Sequence, residues 1–175
     1  MATFAVILAA AGQSSRFNDK NYKKPFAPLD GRPVWLHSAE KFLARKDVTQ
    51  SILVISPDDR EYFLSKFAAN AAILGIEVID GGEERSDSVQ KALERVNPEI
   101  DFVAIHDAAR PCIVDEWISA VFTAAEKSGA AIPAIPVGGT LKRAANQTIV
   151  ETVSREGLWE AQTPQVFRRD LLVKA

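Results

Sequence analysis

An almost unbroken apolar run at residues 3–11, ending at Gly12, constrains the fold more than any other feature of the sequence. A run of this length indicates a β-strand buried on both faces, because a strand with one face in water alternates apolar and polar residues. Similar runs recur at residues 51–55, 76–79, 102–105 and 130–137. Strands of this kind are typical of parallel sheets that carry helices on both sides.

Helical patterns separate these runs. Residues 56–59 predict one helix start, with Ser56 as the cap and Asp59 closing a capping-box-like pair. Strands that alternate with helices predict an α/β fold with βαβ units in a mostly parallel, doubly wound sheet. A length of 175 residues suits a single domain, and right-handed crossovers place the loops after the strands at one edge of the sheet.

The pattern changes beyond residue 137. A Gly-Gly pair is followed by two strand-like segments of mixed polarity, 140–144 and 148–153. They predict a β-arm at about residues 138–155 that stands off the sheet. Because an isolated two-stranded ribbon is marginal in water, we expect the β-arm to pack on another subunit.

Composition excludes several classes of protein. With 47% hydrophobic and 25% charged residues the chain is not disordered, and a net charge of −2 argues against a nucleic-acid binder. Cys112 is the only cysteine and there are two histidines, so the chain has no internal disulfide framework and no Cys/His zinc cage. No apolar run approaches the roughly 20 residues of a membrane span, and the first residues lack the basic segment of a signal peptide. We therefore expect a cytoplasmic protein that contacts no membrane.

Two basic clusters come early in the chain, and each has an ordinary structural alternative. Small residues at 10–12 would let backbone N–H groups approach a phosphate, with Arg16 adding a charged guanidinium; otherwise the segment is a turn packed under a helix. The Lys-Lys pair that ends at Lys24 could help neutralise a triphosphate, or could form a solvated basic loop.

A third cluster spans residues 80–88. Its Gly-Gly pair would admit a base or a ribose close to the backbone, and Ser88 offers a small hydroxyl. The alternative is a turn followed by a helix that Ser86 caps.

The fourth cluster spans residues 106–111. Asp107 could hold Mg²⁺ through one oxygen, with phosphates and waters as the other ligands. The alternative is a structural ion pair between Asp107 and Arg110, and we interpret His106 as a structural imidazole. Further on, Arg155 and Thr163 could bind a second, anionic substrate.

These motifs, in this order, resemble the 2-C-methyl-D-erythritol 4-phosphate cytidylyltransferase family. The resemblance runs from about residue 4 to residue 167. The motifs that carry it are A-A-G-x-x-x-R at 10–16, Lys24, G-G-x-x-R-x-D-S-V at 81–89, H-D-A-A-R-P at 106–111 and G-L-W-x-x-Q-T-P-Q at 157–165.

The resemblance implies a Rossmann-like, three-layer nucleotidyltransferase fold with a protruding β-arm, and a homodimer joined through the β-arms. It implies Mg²⁺-dependent transfer of CMP from CTP to 2-C-methyl-D-erythritol 4-phosphate, a step of non-mevalonate isoprenoid biosynthesis. The implied site residues are Arg16 and Lys24 at the α-phosphate; Ala10, Ala11 and Gly12 along the nucleotide; Gly82, Glu83 and Ser88 at the cytosine; Asp107 on Mg²⁺; and Thr140, Arg155 and Thr163 at the second substrate.

The chain departs from the family at several points. Gly138 and Gly139 stand where an Arg-Asp pair is common, and Glu83 stands where Asp is frequent. The family continues past residue 175, so we expect a C-terminally short chain that keeps the CTP half-site. Two other interpretations stay open: a cytidylyltransferase for ribitol phosphate or another sugar phosphate, and a nucleotide-binding module without turnover.

Overall fold

The computed structural model describes residues 1–12 and 22–174, which fold around a six-stranded sheet. The strands are β1 (Phe4–Ala9), β2 (Pro28–Leu29), β3 (Arg32–Pro33), β4 (Val48–Ile55), β5 (Glu77–Asp80), β6 (Phe102–Asp107), β7 (Ala130–Ala131), β8 (Ala134–Pro136), β9 (Leu141–Ala145), β10 (Thr148–Val153), β11 (Trp159–Ala161) and β12 (Gln165–Arg168). The helices are α1 (Val34–Leu43), α2 (Arg60–Ile73), α3 (Arg85–Leu93), α4 (Asp115–Ser128) and α5 (Arg169–Lys174), with 3-10 turns at Lys24–Phe26 and Pro57–Asp59.

The order of strands in the main sheet is β5-β4-β1-β6-β12-β7. The first four are mutually parallel, and β12 runs antiparallel to both of its neighbours. The chain moves outward from β1 to β4 and β5, then crosses to β6 on the other side of β1. The predicted α/β class is confirmed, and the topological switch point lies between β1 and β6.

Alternate residues of β1 enter two separate cores, as the apolar run predicts. Val6 and Leu8 belong to the core beneath α1, α2 and α4, which includes Trp35, Phe63 and Ile118. On the opposite face, the residues between them pack with α3 and α5. The sheet is thus the middle of three layers, and helices cover both of its faces.

One predicted strand is wrong. Residues 130–137 do not form one strand, because β7 ends at Ala131 and β8 pairs with β11 in a separate ribbon. Pro133 lies between the two pieces and has no N–H to donate to a strand ladder, so the chain leaves the sheet there. The carbonyl of Pro133 accepts a hydrogen bond from the backbone N–H of Gln162 at 2.8 Å.

The predicted start of α2 is also corrected. The Ser56 side chain makes no capping hydrogen bond, residues 57–59 form a 3-10 turn, and the helix begins at Arg60. The Asp59 carboxylate, predicted to close a capping-box-like pair, binds Lys23 instead.

The hairpin of the β-arm forms as the sequence predicts. Strands β9 and β10 pair antiparallel, and the turn residues Asn146 and Gln147 have φ values of 47° and 64°. Most of its side chains are exposed, including the large apolar residues Ile149 and Val150. No helix in the described parts of the chain is long and apolar enough to cross a membrane.

Candidate active site

Loops that carry three of the predicted clusters leave the same edge of the sheet. The backbone N–H of Ala10 donates to Val54 at 2.8 Å, and the N–H of Ala108 donates to Ala9 at 3.0 Å, so the loops after β1 and β6 flank the switch point. The N–H of Gly81 donates to Ile55 at 2.8 Å and fixes the loop after β5 beside them. In parallel α/β sheets, ligands bind in the crevice at this position. Arg16 lies outside the described residues.

The Gly81-Gly82 loop packs too tightly to hold larger residues. A Cβ on Gly81 would lie 2.7 Å from the Cβ of Ala11, which lies in the loop after β1. A Cβ on Gly82 would lie 2.3 Å from the Cβ of Asp87. The Gly82 N–H donates to the Ser88 hydroxyl at 3.0 Å, so two of the residues predicted to contact the cytosine are hydrogen-bonded to each other. Gly81 therefore lets the loops after β1 and β5 meet, and Gly82 lets the loop after β5 lie close against the first turn of α3.

Helix α3 begins one residue before the predicted cap. Ser86 is not the cap: Glu84 is, and it forms a capping box with Asp87, whose carboxylate accepts the Glu84 N–H at 3.0 Å. The next residue, Arg85, is therefore held in the first turn of α3 at the sheet edge. Glu83 precedes the cap and is exposed.

The two neighbouring lysines have different environments. Lys23 donates to the Asp59 carboxylate at 2.8 Å, and Asp59 is largely buried. The Lys23 carbonyl also accepts the N–H of Phe26, whose buried ring packs against an aromatic cluster on α2. Lys24 begins the 3-10 turn between these two anchors, and its side chain is exposed. Of the pair, Lys24 is the more exposed lysine, and its turn is anchored on both sides.

Asp107 is bound by two arginines. Its Oδ1 lies 2.7 Å from Arg85 and its Oδ2 lies 2.8 Å from Arg110. Arg110 also donates to Gln162 at 2.8 Å. Burial raises the pKa of Asp107, but the hydrogen bond from Arg110 and the charge of Arg85 outweigh it and hold the pKa below its ordinary value. The Asp107–Arg110 pair that the sequence left as an alternative is present, and Arg85 extends it.

His106 is a fully buried structural residue, as interpreted from the sequence. Its Nε2 lies 3.1 Å from the Arg110 carbonyl, which can only accept, so Nε2 carries the proton. Its Nδ1 then accepts the Thr163 hydroxyl at 3.0 Å. The hydroxyl proton of Thr163 is therefore already engaged, and its oxygen lies 3.4 Å from the Asp107 N–H.

Acid is expected to destabilise the metal-free protein through His106. Burial lowers the pKa of its imidazole to about 4, although the hydrogen bond to the Arg110 carbonyl opposes the shift. The unfolded chain therefore binds the proton first as the pH falls, and stability present above about pH 6.5 is lost on the way down to about pH 4. The loss amounts to about 3 kcal/mol at most.

NMR of the two imidazoles measures this, with a His37→Gln variant assigning the signals. A midpoint above pH 6 for His106 would contradict the expectation.

The predicted residues for a second substrate are spread over different parts of the structure. Thr140 and Arg155 lie in the exposed β-arm segment, where Arg155 donates to the Gly138 carbonyl. Thr163 is buried and precedes β12. The roles of these three residues remain predictions.

Sequence reasoning gave no role to Arg85 or Gln162 and a wrong one to Asp59. Arg85 and Gln162 belong to the motifs that carry the resemblance, but their contacts with the Asp107 cluster depend on three distant segments meeting. A signal was present for Arg85: a carboxylate at the end of a buried strand needs compensating partners. For Asp59, the neighbouring Ser-Pro sequence favoured a role in a helix cap, so its ion pair with Lys23 was not predicted.

Asp107 offers an ionised carboxylate at this edge of the sheet. Among the described residues, no group of three or more His, Cys, Asp or Glu side chains is placed to hold a metal ion. Mg²⁺ commonly takes only one or two carboxylates and fills its other positions with waters and substrate phosphates. The Asp107 oxygens retain lone pairs beside the two guanidiniums, so the residue fits as a single protein ligand.

A three-layer α/β fold with a glycine-rich loop and an arginine–carboxylate cluster beside its switch point has the architecture of nucleotide-binding α/β proteins. The family model described as IspD, 2-C-methyl-D-erythritol 4-phosphate cytidylyltransferase, matches residues 4–175. The chain belongs to this family.

Comparisons with individual proteins lead to the same family. The chain is 40% identical to the 2-C-methyl-D-erythritol 4-phosphate cytidylyltransferase of Rhodopirellula baltica, over 99% of this chain and 75% of that protein. It is also 40% identical to a bifunctional enzyme IspD/IspF of Desulfotalea psychrophila, of which it covers 44%. A crystal structure of the Thermus thermophilus cytidylyltransferase covers 99% of this chain at a TM-score of 0.75 and 28% identity, with 74% of that chain matched.

Proposed function

We propose that this chain transfers CMP from CTP to 2-C-methyl-D-erythritol 4-phosphate, which gives 4-diphosphocytidyl-2-C-methyl-D-erythritol and pyrophosphate in isoprenoid biosynthesis. The observation that supports it most is that the loops after β1, β5 and β6, all with family motifs, lie together at one switch point, where Gly81 approaches Ala11. Their contents suit a nucleoside triphosphate: backbone N–H groups, close-packed glycines and guanidiniums.

The reaction requires charge stabilisation more than proton transfer. An oxygen of the acceptor phosphate attacks the α-phosphorus of CTP, a P–O bond forms, and the bond from the α-phosphorus to the bridging oxygen of pyrophosphate breaks. The attacking monoester is already an anion, so no general base is needed. Two anions must approach while charge builds on the α-phosphoryl group, and fixed cations lower that barrier. We assign this role to Lys24 and Arg16.

The nucleotide contacts follow the loops. Ala10, Ala11 and Gly12 would line the phosphates through their backbone, while Gly82 and Glu83 would face the cytosine. Ser88 supports Gly82 through the hydrogen bond between them, so its hydroxyl orients the loop. A glycine-rich loop can present backbone carbonyls to the exocyclic amine of cytosine, which is a donor.

Asp107 would hold Mg²⁺, which when bound screens the triphosphate and helps pyrophosphate to leave. For the acceptor, we propose that Thr140 and Arg155 bind the methylerythritol phosphate from the β-arm. Thr163 would act through its hydroxyl oxygen, because its proton is donated to His106.

Pyrophosphate release tests the function. The chain is incubated with CTP and Mg²⁺ plus either methylerythritol phosphate or ribitol phosphate, with ATP and GTP as matched nucleotide controls. Turnover that requires methylerythritol phosphate and CTP supports the proposal. Turnover with ribitol phosphate alone, or CTP binding without any release, would establish the alternative functions.

We further propose a cytoplasmic homodimer joined through the β-arms. The β-arm exposes Ile149 and Val150, at 64% and 57% of their surface, on a hairpin that cannot bury them by itself. The ribbon at its base adds Ile135 and Trp159, which are exposed at 54% and 61%. A second copy would cover these side chains.

An Ile149→Lys variant is expected to shift the protein from dimer to monomer. A lysine would need to lose its hydration in the interface, at a cost that exceeds the lost apolar contact. Sedimentation velocity over a range of concentrations measures the change. Ile73→Lys is the matched control, because Ile73 is also exposed and lies on α2, near the other end of the sheet. A wild-type monomer at all concentrations would contradict the dimer.

A further inference from the structure

Arg85, Asp107 and Arg110 form a cluster with a net charge of +1 at the switch point; we call it the arginine clamp. Each carboxylate oxygen of Asp107 has its own guanidinium, at 2.7 and 2.8 Å. The Asp107 side chain is only 27% exposed, whereas the two arginine side chains are exposed to about half, at 51% and 50%. The carboxylate is therefore fixed, and the guanidiniums are the parts that can turn toward solvent.

The arginine clamp has opposite consequences for free cations and for polyphosphates. A divalent cation that approaches Asp107 alone meets two positive charges and must compete for oxygens already bound to guanidiniums. A triphosphate meets a positive cluster and offers the guanidiniums new oxygens of the same geometry. The donors of an arginine fork match the geometry of phosphate as well as that of carboxylate, so the guanidiniums can exchange one for the other.

We propose that Arg85 and Arg110 keep Asp107 closed to free divalent cations and release it only when a nucleoside triphosphate takes over their guanidiniums. This inference rests on the proposed function for the identity of the nucleotide. It assigns Arg85 and Arg110 as positioning residues that couple metal binding to triphosphate binding. The two arginines are held in different ways. The backbone of Arg85 is fixed in the first turn of α3, whereas the guanidinium of Arg110 donates a hydrogen bond to Gln162.

Mn²⁺ alone is the probe, and its free concentration is measured by electron paramagnetic resonance in titrations of the wild-type protein and variants. An Arg85→Gln variant is expected to bind free Mn²⁺ about three- to tenfold more tightly than wild type, the range for half-exposed, charge-assisted pairs. Arg85→Gln/Asp107→Asn is expected to lose the gain, which places the ion at Asp107. Arg95→Gln is the matched control, because Arg95 pairs with Glu77 at the opposite end of β5.

A second measurement uses CTP in the presence of EDTA. Arg85→Gln is expected to weaken metal-free CTP binding about three- to tenfold, whereas Arg95→Gln leaves it unchanged. Calorimetry gives the affinity of the wild-type protein and of each variant for CTP, and melting temperatures show that the variants are folded.

The Mn²⁺ titration decides the inference whatever the enzyme assay shows. Equal Mn²⁺ affinity in wild type and Arg85→Gln would overturn it, even if the protein turns over CTP. A gain in Mn²⁺ affinity that requires Asp107 supports it, even if no pyrophosphate is released and the proposed function fails.

Discussion

Replacement of Lys24 by alanine is expected to lower kcat for pyrophosphate release at least about 100-fold, the loss typical when one preorganised charge partner of a transition state is removed. The Lys24 side chain is exposed on a turn that Phe26 and Lys23 anchor from either side. The turn should therefore survive the substitution. We expect the variant to remain folded, because the buried Phe26 ring and the Lys23–Asp59 pair hold the turn. Steady-state kinetics with saturating CTP and thermal melting give the two numbers.

Lys23→Ala is the matched control, because it removes the same charge from the adjacent residue. It leaves the largely buried Asp59 carboxylate without its 2.8 Å partner. An unpaired buried acceptor costs about 1–3 kcal/mol, so this variant should melt earlier while kcat falls less than about tenfold. Lys24→Ala should thus lower kcat and remain folded, whereas Lys23→Ala should melt earlier and keep most of its kcat. An unchanged kcat in Lys24→Ala would remove Lys24 from the mechanism.

The central sheet could be predicted because its signal is local and redundant. The run at residues 3–11 is apolar at every position that enters either core, and the runs that form β4, β5 and β6 repeat the pattern. Once the strands are parallel, their loops share an edge by geometry alone. The predicted loops after β1, β5 and β6 therefore converge without any knowledge of side-chain contacts.

The failures have a different cause, because they depend on contacts between distant segments. The apolar composition of residues 130–137 favours one strand, but Pro133 takes the chain out of the sheet toward β11, which is distant in sequence. Asp59 fits a local cap by its spacing, yet the pair with Lys23 prevails. A carboxylate that is largely buried is compensated better by a full charge than by a backbone N–H.

The position of the site could be predicted from the sequence, but the contacts between its side chains could not. Asp107 was predicted as a metal ligand or as a partner of Arg110, and the structure shows the second arrangement together with Arg85. The pairing with Arg85 depends on the start of α3, for which the sequence predicted Ser86 as the cap. With Ser86 as the cap, Arg85 would precede the helix, whereas with Glu84 as the cap it lies in the first turn of α3, so an error in the cap conceals the contact.

Gly82→Ala is expected to weaken CTP binding at least about tenfold and to lower the melting temperature. The new Cβ would lie 2.3 Å from the Cβ of Asp87 and 3.2 Å from its backbone carbonyl carbon, so no rotation of the Asp87 side chain relieves the clash. Overpacking of this kind costs about 1–3 kcal/mol. The loop must move away from α3, which breaks the Gly82–Ser88 hydrogen bond and displaces the backbone proposed to face the cytosine.

Two further variants separate the clash from the role in binding. Gly139→Ala is the matched control, since a Cβ there meets no described atom within 4 Å, and it should leave both CTP affinity and melting temperature unchanged. Ser88→Ala removes the acceptor of the Gly82 N–H without adding bulk, so it should weaken CTP binding by less than Gly82→Ala. Calorimetry with CTP, and with UTP to test the base, measures all three. If Gly82→Ala melts earlier but binds CTP as tightly as wild type, the loop after β5 supports the fold and does not bind the nucleotide.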